Sequence, residues 1–319
     1  MQITALPSRC EITFVGEGAA NVVFKIHTTT SPSPDDDDDD DEAHRKFKDH
    51  LLRVPKADTT SYPYPDLQSY WQSSLVPLFP PANLVHQQLL HWTDPSDVIS
   101  RLNSALSAVD SSRRPDFRGS RIAPVTTGML VADMNQTNPT DTTFEFKPKW
   151  LAQSPSAPLT ATRCRTCARE AQKLHNKNTK KSPNKPPPPC PLTLLNPSPT
   201  PTLLSHLAGG PLPPSAAHRL AVWLQSNALL PRLRDLQVAT DPVGPFAATD
   251  MERLQLAMTL RDCSCYVRIP EEEGEVEARL GDLDKKNWEG KLEYWRGMER
   301  GLVEGGFYEG EGMGCLLGG

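Results

Sequence analysis

The sequence predicts an α+β protein of two lobes, a β-rich N-lobe over residues 1–134 and a larger, mixed C-lobe over residues 135–319. Three observations carry that expectation. Residues 10–27 are rich in β-formers on either side of a glycine-bearing turn, which reads as a hairpin. Gly128–Asn135 reads as a short buried strand running into a polar break, as a connection between lobes would. Beyond it, stretches with helical spacing and stretches with a period of two share one segment.

Each element follows from its residues. The hairpin tip is Gly16-Glu17-Gly18-Ala19-Ala20-Asn21, and Leu51–Lys56 resumes as a third strand carrying Arg53 and Lys56. Between them an acidic insertion (about 30–46) holds Asp35–Glu42, a run expected to be a solvated loop. Leu67, Tyr70, Trp71 and Leu75 share one helical face, and Val98, Leu102, Ala105 and Val109 share another; both are core stripes. Thr142–Trp150 alternates like a strand and then ends in Lys147-Pro148-Lys149. A basic helix follows at 162–175, then a proline-rich linker (about 176–202), then one amphipathic helix starting near Ser215. Met251, Leu254, Ala257 and Met258 mark a further helix capped by Thr249 or Asp250, after which residues 261–269 switch to strand periodicity. Asp262 therefore stands at a helix-to-strand junction, and Asp282-Leu283-Asp284 stands past the hairpin that an acidic turn closes at 270–277.

Composition narrows the classes. A chain of 319 residues with 37% hydrophobic residues can bury a real core, and its 32 prolines concentrate in loops. No apolar run approaches membrane-spanning length, and the first residues lack a basic start and apolar stretch, so intracellular residence, nuclear or cytoplasmic, is expected. Seven cysteines then read as reduced thiols. Taking the eight charges of Asp35–Glu42 out of the net −5 leaves the rest of the chain at +3, a mildly basic body. A monomer that binds neither nucleic acid nor membrane is the expectation.

A glycine-bearing hairpin, a basic third strand, a hinge and two aspartates bracketing a hairpin is the order of parts in a kinase-like phosphotransferase. Such chemistry needs an oriented hydroxyl, a divalent metal and positive charge near the transferred group. Asp262 suits the first need, Asp282 the second with Asp284 as a helper, and Lys147 and Lys149 the third. Small residues at the tip let backbone N–H groups approach phosphate oxygens, and Arg53 or Lys56 is placed either to neutralise phosphate or to face solvent. Neither H-R-D nor D-F-G nor a P-loop occurs, which disfavours protein kinases and P-loop enzymes.

The stretches VGEGAANVVFKI, LLRVPK, FEFKPKWL, RCRTCA, MTLRDCS and GDLDKK run in one order between about residues 14 and 286. They resemble the successive signatures of the inositol-pentakisphosphate 2-kinase family, its fungal branch in particular, with E-x-K-P-K standing as Glu145–Lys149. The resemblance implies an inositol polyphosphate kinase fold and transfer of the ATP γ-phosphate to the 2-hydroxyl of inositol 1,3,4,5,6-pentakisphosphate, making inositol hexakisphosphate (phytate), with Mg2+. It further implies that Lys147 and Asp262 are catalytic and that Lys149 holds the acceptor. On the nucleotide side it places Gly16, Glu17, Gly18, Ala19, Ala20, Asn21, Arg53, Asp133, Met134, Glu145 and Asp282, with Asp282 and Asp284 on the metal. Lys173, Lys286, Lys291 and Tyr294 are its further acceptor contacts, and Asn227 and Arg232 stand where the family offers an asparagine and an arginine. Arg113, Arg114 and Arg118 form a basic loop that either reaches substrate or is solvated.

Two alternatives stay open at this level: a catalytically silent inositol-phosphate-binding scaffold of kinase descent, and a multikinase acting equally on less phosphorylated inositols. Cys164-x-x-Cys167 also invites a structural Zn2+ reading with His175, Cys190 or His206. Without a second tight pair, unbound thiols packed in a helix are the default expectation.

Overall fold

The structure is a computed structural model of the 319-residue chain. It describes residues 3–7, 9–28, 45–57, 59–135, 138, 140–178, 187–196, 198–271, 274–311 and 314–318. The acidic run 35–42, positions 179–186 of the proline-rich linker and Glu272 and Glu273 of the acidic turn lie outside the described residues. The chain divides into two compact units, Met1–Pro81 with Val85–Gln136, and Ala82–Leu84 with Thr137–Gly319.

The first unit is built on a six-stranded sheet of β1 (Ile3–Thr4), β2 (Cys10–Glu17), β3 (Asn21–Thr28), β4 (His50–Pro55), β5 (Gln87–Trp92) and β6 (Thr127–Ala132), in the order β1-β5-β6-β4-β3-β2. Only β1 and β5 run parallel. Strand alternation sorts β4 cleanly: Leu52 and Val54 are fully buried, whereas Arg53 points to the other face. On the first face Phe24, Leu52, Val54 and Leu130 pack against Val98, Leu102 and Leu106 of helix α2 (Pro95–Ala108). That helix starts at Asp94, whose side chain accepts a hydrogen bond from the Asp97 amide at 3.0 Å, with Pro95 at the position where no amide is missed. On the second face Tyr64 and Leu67 of α1 (Tyr64–Tyr70) pack on Met129. Gly128 is required by this packing, since a Cβ there would lie 2.3 Å from the Trp92 ring.

The second unit holds a three-stranded antiparallel sheet, β7 (Thr142–Phe146), β8 (Ser264–Ile269) and β9 (Glu277–Gly281), with β8 in the middle. Its helices are α3 (Arg165–Asn178), α4 (Pro201–Leu207), α5 (Pro214–Ser226), α6 (Leu229–Thr240), α7 (Gly244–Ala247), α8 (Met251–Leu260) and α9 (Trp288–Glu304). Asp250 caps α8 as expected, accepting from the Arg253 amide at 3.0 Å. The single helix expected from Ser215 is instead two. Asn227 breaks it, with an extended backbone (ψ 145°), a side-chain amide that donates to the carbonyls of Trp223 and Leu224, and an Oδ1 that accepts from the Leu230 amide. Pro231 then falls in the first turn of α6, where its missing N–H costs nothing. The sequence pattern concealed the break because Leu220, Leu224, Leu230 and Leu233 keep the apolar stripe going across it. No helix among the described residues is long and apolar enough to cross a membrane.

Candidate active site

The register of the small sheet brings three distant stretches to one end. Phe146, the last residue of β7, lies opposite Cys265; Ser264, the first of β8, lies opposite Gly281, the last of β9. Lys147 leaves β7, Asp262 precedes β8 and Asp282 leaves β9, so antiparallel pairing forces them together. Lys147 Nζ donates to Asp282 Oδ2 at 2.8 Å and to the Asp262 carbonyl at 3.0 Å. The Asp262 carboxylate is shared by two further lysines, Lys286 at 2.8 Å on Oδ2 and Lys149 at 3.3 Å on Oδ1. Glu145, opposite Tyr266 in the register, accepts a hydrogen bond from Ser264 Oγ at 2.5 Å.

The backbone is strained at two points of this cluster. Lys149 (φ 61°) and Asp282 (φ 53°) are the non-glycine residues at positive φ among those described. Left-handed conformations cost on the order of 1–3 kcal/mol at such residues, and persist only where the surroundings over-determine them. One such restraint is Gln237 of α6, which is 1% exposed. Its Nε2 donates to the carbonyls of Lys149 (2.9 Å) and Leu260 (3.0 Å), and its Oε1 accepts from the Leu151 amide (2.9 Å). Gln237 thus ties the end of the Lys-Pro-Lys turn to the end of α8, from which Asp262 emerges.

Electrostatics hold these groups charged. Burial pushes the Asp262 carboxyl up, but Lys286 above all, then Lys149 and Lys147, outweigh it and hold the pKa below the ordinary aspartate value. Burial likewise opposes charge on Lys147, and the neighbouring Asp282 carboxylate more than offsets it, raising the lysine pKa. The carboxylate at Asp262 is ionised at neutral pH and can accept a proton or a hydrogen bond.

Asp262 faces a cavity of about 320 Å³, also lined by Lys149, Lys173, Lys286, Lys291 and Tyr294, every one an acceptor candidate from the sequence. Arg165, Arg169 and Arg261 complete its basic wall, so seven cationic side chains meet two carboxylates, Asp262 and Glu170. Two of the arginines are already balanced by carboxylates outside the cavity, Arg165 by Glu299 (2.8 Å) and Arg261 by Asp241 (2.6 Å). Both stack on Trp150, at 4.2 and 3.7 Å from its ring centre, which stiffens the floor. Five lysine and arginine charges remain against two acids, a strongly cationic cleft suited to a small polyanion.

Sequence reasoning missed Arg165, Arg169 and Arg261. The signal for the first two was present: Arg165, Arg169 and Lys173 recur every fourth residue, one face of the predicted helix. Arg261 gives no such signal, because its neighbours come from α6 and the Trp150 segment. Asn227 is occupied as a helix joint, and neither it nor Arg232 lines the cavity.

In the first unit, the hairpin tip closes with a Gly18 N–H to Asn21 carbonyl bond at 2.9 Å, and Asn21 Oδ1 accepts from Tyr64 Oη at 2.9 Å. A Cβ at Gly16 or Gly18 would meet nothing within 4 Å. Arg53 lies over the Tyr64 ring at 5.7 Å, on the half-exposed sheet face. Lys56, its alternative, is buried instead and pairs with Glu17 at 2.6 Å. The expected solvated loop 113–118 is corrected in part: Arg113 is 3% exposed and grips the Glu17 carboxylate with two bonds of 2.8 and 2.6 Å, while Arg114 stays exposed. The Asp133 amide donates to the Asp49 carbonyl at 3.0 Å, its carboxylate pairs with Lys25 at 3.2 Å, and Met134 follows in a turn.

The second unit of this α+β chain thus sets an aspartate, held below its ordinary pKa by lysines, against a cleft in which cations outnumber acids. The family is settled by comparison: the family model described as inositol-pentakisphosphate 2-kinase matches residues 14–211 and 205–301, and the chain belongs to that family. It is also similar to the inositol-pentakisphosphate 2-kinase of Yarrowia lipolytica, 34% identical over 179 residues, which cover 55% of this chain and 56% of the relative. The match thus spans about half the length of that curated relative.

Proposed function

We propose that the chain is a two-lobed, protein-kinase-like enzyme that transfers the γ-phosphate of ATP to the 2-hydroxyl of inositol 1,3,4,5,6-pentakisphosphate, releasing ADP and inositol hexakisphosphate. The observation that carries the reading is the convergence of Asp262, Lys147 and Asp282 beside a cleft whose cations exceed its acids. In this proposal Lys149, Lys173, Lys286 and Lys291 hold the acceptor's phosphates as point charges, with Tyr294 at the edge. Asp262, kept ionised by those same lysines, accepts the hydrogen bond of the free hydroxyl and turns its oxygen lone pair toward phosphorus. As the new P–O bond forms and the bond to ADP breaks, the hydroxyl proton passes to the Asp262 carboxylate. Lys147 keeps positive charge beside the transferring group.

Asp282 offers a half-exposed carboxylate presented to a cation, the hard oxygen donor that Mg2+ prefers, and Asp284 adds a second nearby in sequence. Bound there, Mg2+ would neutralise nucleotide phosphate charge. The nucleotide is assigned to the first unit's Gly16–Asn21 tip, Arg53, Asp133 and Met134. Support for the tip comes from its glycines, which neither the local packing nor a left-handed backbone demands.

The test is product analysis by phosphate position with the full chain, Mg-ATP and purified inositol pentakisphosphate. The expected product is the hexakisphosphate. Binding without magnesium-dependent turnover would instead indicate a silent scaffold, and equal turnover of less phosphorylated inositols a multikinase.

A further inference from the structure

Away from the cleft, four buried cysteines meet at one point: Cys164 and Cys167 at the start of α3, Cys190 after the proline-rich linker, and Cys315 in the C-terminal segment. They are 0%, 3%, 1% and 8% exposed, and their sulfurs all lie within 4.8 Å of one another. Cys190 Sγ is 3.7 Å from both Cys164 Sγ and Cys315 Sγ. Four thiolates placed tetrahedrally about an ion with metal–sulfur bonds of about 2.3 Å sit about 3.8 Å apart. The two 3.7 Å separations match that spacing, and the remaining ones are no longer than 4.8 Å, with all four cysteines present as free thiols.

Packing of thiols as small hydrophobes does not explain this convergence. The three segments are separated by 26 and 125 residues, yet among the described residues the cluster is made of these four cysteines with Leu192 packed against them. Their setting is also polar in the way a thiolate site requires. The Cys164 amide donates to Cys315 Sγ at 3.1 Å, a bond that orients a ligand sulfur. The C-terminal segment is anchored beside them by Arg163, whose guanidinium donates to the carbonyls of Phe307, Glu309 and Glu311. The Tyr308 carbonyl accepts from the Thr162 and Arg163 amides. His175 and His206, the histidines considered from sequence, belong elsewhere: His175 packs edge-on to Phe307, and His206 lines a different cavity.

We propose that Cys164, Cys167, Cys190 and Cys315 form a closed structural Zn2+ site that staples the C-terminal segment and the Cys190 turn to the start of α3. Binding converts four thiols to thiolates with release of their protons, leaving a site of net charge −2. With four protein ligands and no open position, the ion serves architecture rather than chemistry. One consequence is direct: Arg165, which lines the anion cleft, follows Cys164 immediately and shares its anchorage.

The test is elemental analysis of the full chain, purified without added metal and dialysed against EDTA, with zinc-edge X-ray absorption on the same sample. The expected result is about one zinc per chain in a shell of four sulfurs at about 2.3 Å. A Cys164→Ser/Cys167→Ser double variant should lose at least about tenfold in zinc content, while Cys10→Ser, outside the cluster, retains it. If the double variant fails to fold, the wild-type spectrum decides alone. Zinc below about a tenth per chain, iron in its place, or a shell containing nitrogen or oxygen would overturn the assignment. None of these readouts depends on kinase activity.

Discussion

Two clusters in this chain are made from the same chemistry and do opposite things. In the first unit Glu17 meets Lys56 and Arg113 with bonds of 2.6–2.8 Å, the three side chains being at most 4% exposed. In the second unit Asp262 and Asp282 meet Lys147, Lys149 and Lys286, but the carboxylates keep about half of their side-chain surface and the backbone is strained at Lys149 and Asp282. The buried cluster is closed: with Asp110, 2.7 Å from Arg113, two carboxylates balance two cations, and the bonds tie the hairpin to the 113–120 loop. The exposed cluster is held in a costly geometry beside a cleft with cations to spare. Burial and strain, rather than residue type, separate a structural ion cluster from a site able to take a ligand.

The sharpest way to break this comparison is at Asp262. Replacing it by Asn should lower kcat about 10²–10⁴-fold, the usual worth of a positioned base, while urea unfolding shifts by less than about 1 kcal/mol. A variant with near-normal rate would remove Asp262 from the mechanism. The converse change is Arg113→Met, which strips a buried partner from Glu17. It should destabilise the protein by about 3 kcal/mol in urea unfolding yet leave kcat per folded molecule intact.

A smaller effect is expected from Lys149→Ala, which should raise the KM for inositol pentakisphosphate about tenfold, or about 1.4 kcal/mol, with the ATP KM unchanged. A rise confined to ATP would contradict the assignment. The least effect is in the pH dependence of the buried cluster. Burial raises the Glu17 pKa, but Arg113 and Lys56 outweigh it, leaving the folded value below the ordinary 4.5. A depressed carboxylate pKa contributes stability above 4.5 that is lost as pH falls through the folded value. The stability difference between wild type and Arg113→Met should therefore be full at about pH 7 and shrink at about pH 3. A difference that stays constant would mean that packing, not the ion pair, holds Arg113.

Much of this was legible because it is local. The 10–27 hairpin, the α2 and α8 stripes, the Asp250 cap and the placement of Asp262 between helix and strand follow from periodicity and capping within a few residues. The acceptor candidates Lys173, Lys286, Lys291 and Tyr294 came from the family resemblance, and the structure gathers all four about one cavity. Other features were illegible for an equally physical reason. Asn227 breaks a helix whose apolar stripe runs on undisturbed, and Arg113 looks like any loop arginine until Glu17 closes on it from 96 residues away. The Cys164-x-x-Cys167 pair lacked a visible second pair because Cys190 and Cys315 are single residues far apart in the chain.

By itself the sequence determined the alternation of its strands, the identity and order of the charged motifs, and the excess of cations along one face of α3. Only the tertiary structure decided which charges cancel in the interior and which face the cleft, which cysteines meet, and that Lys147, Asp262 and Asp282 share one sheet end. The reason is that periodicity and capping act over a few residues, whereas the contacts of Lys147 and Lys149 with Asp262 and Asp282 join groups 113–135 residues apart and depend on strand register and helix packing.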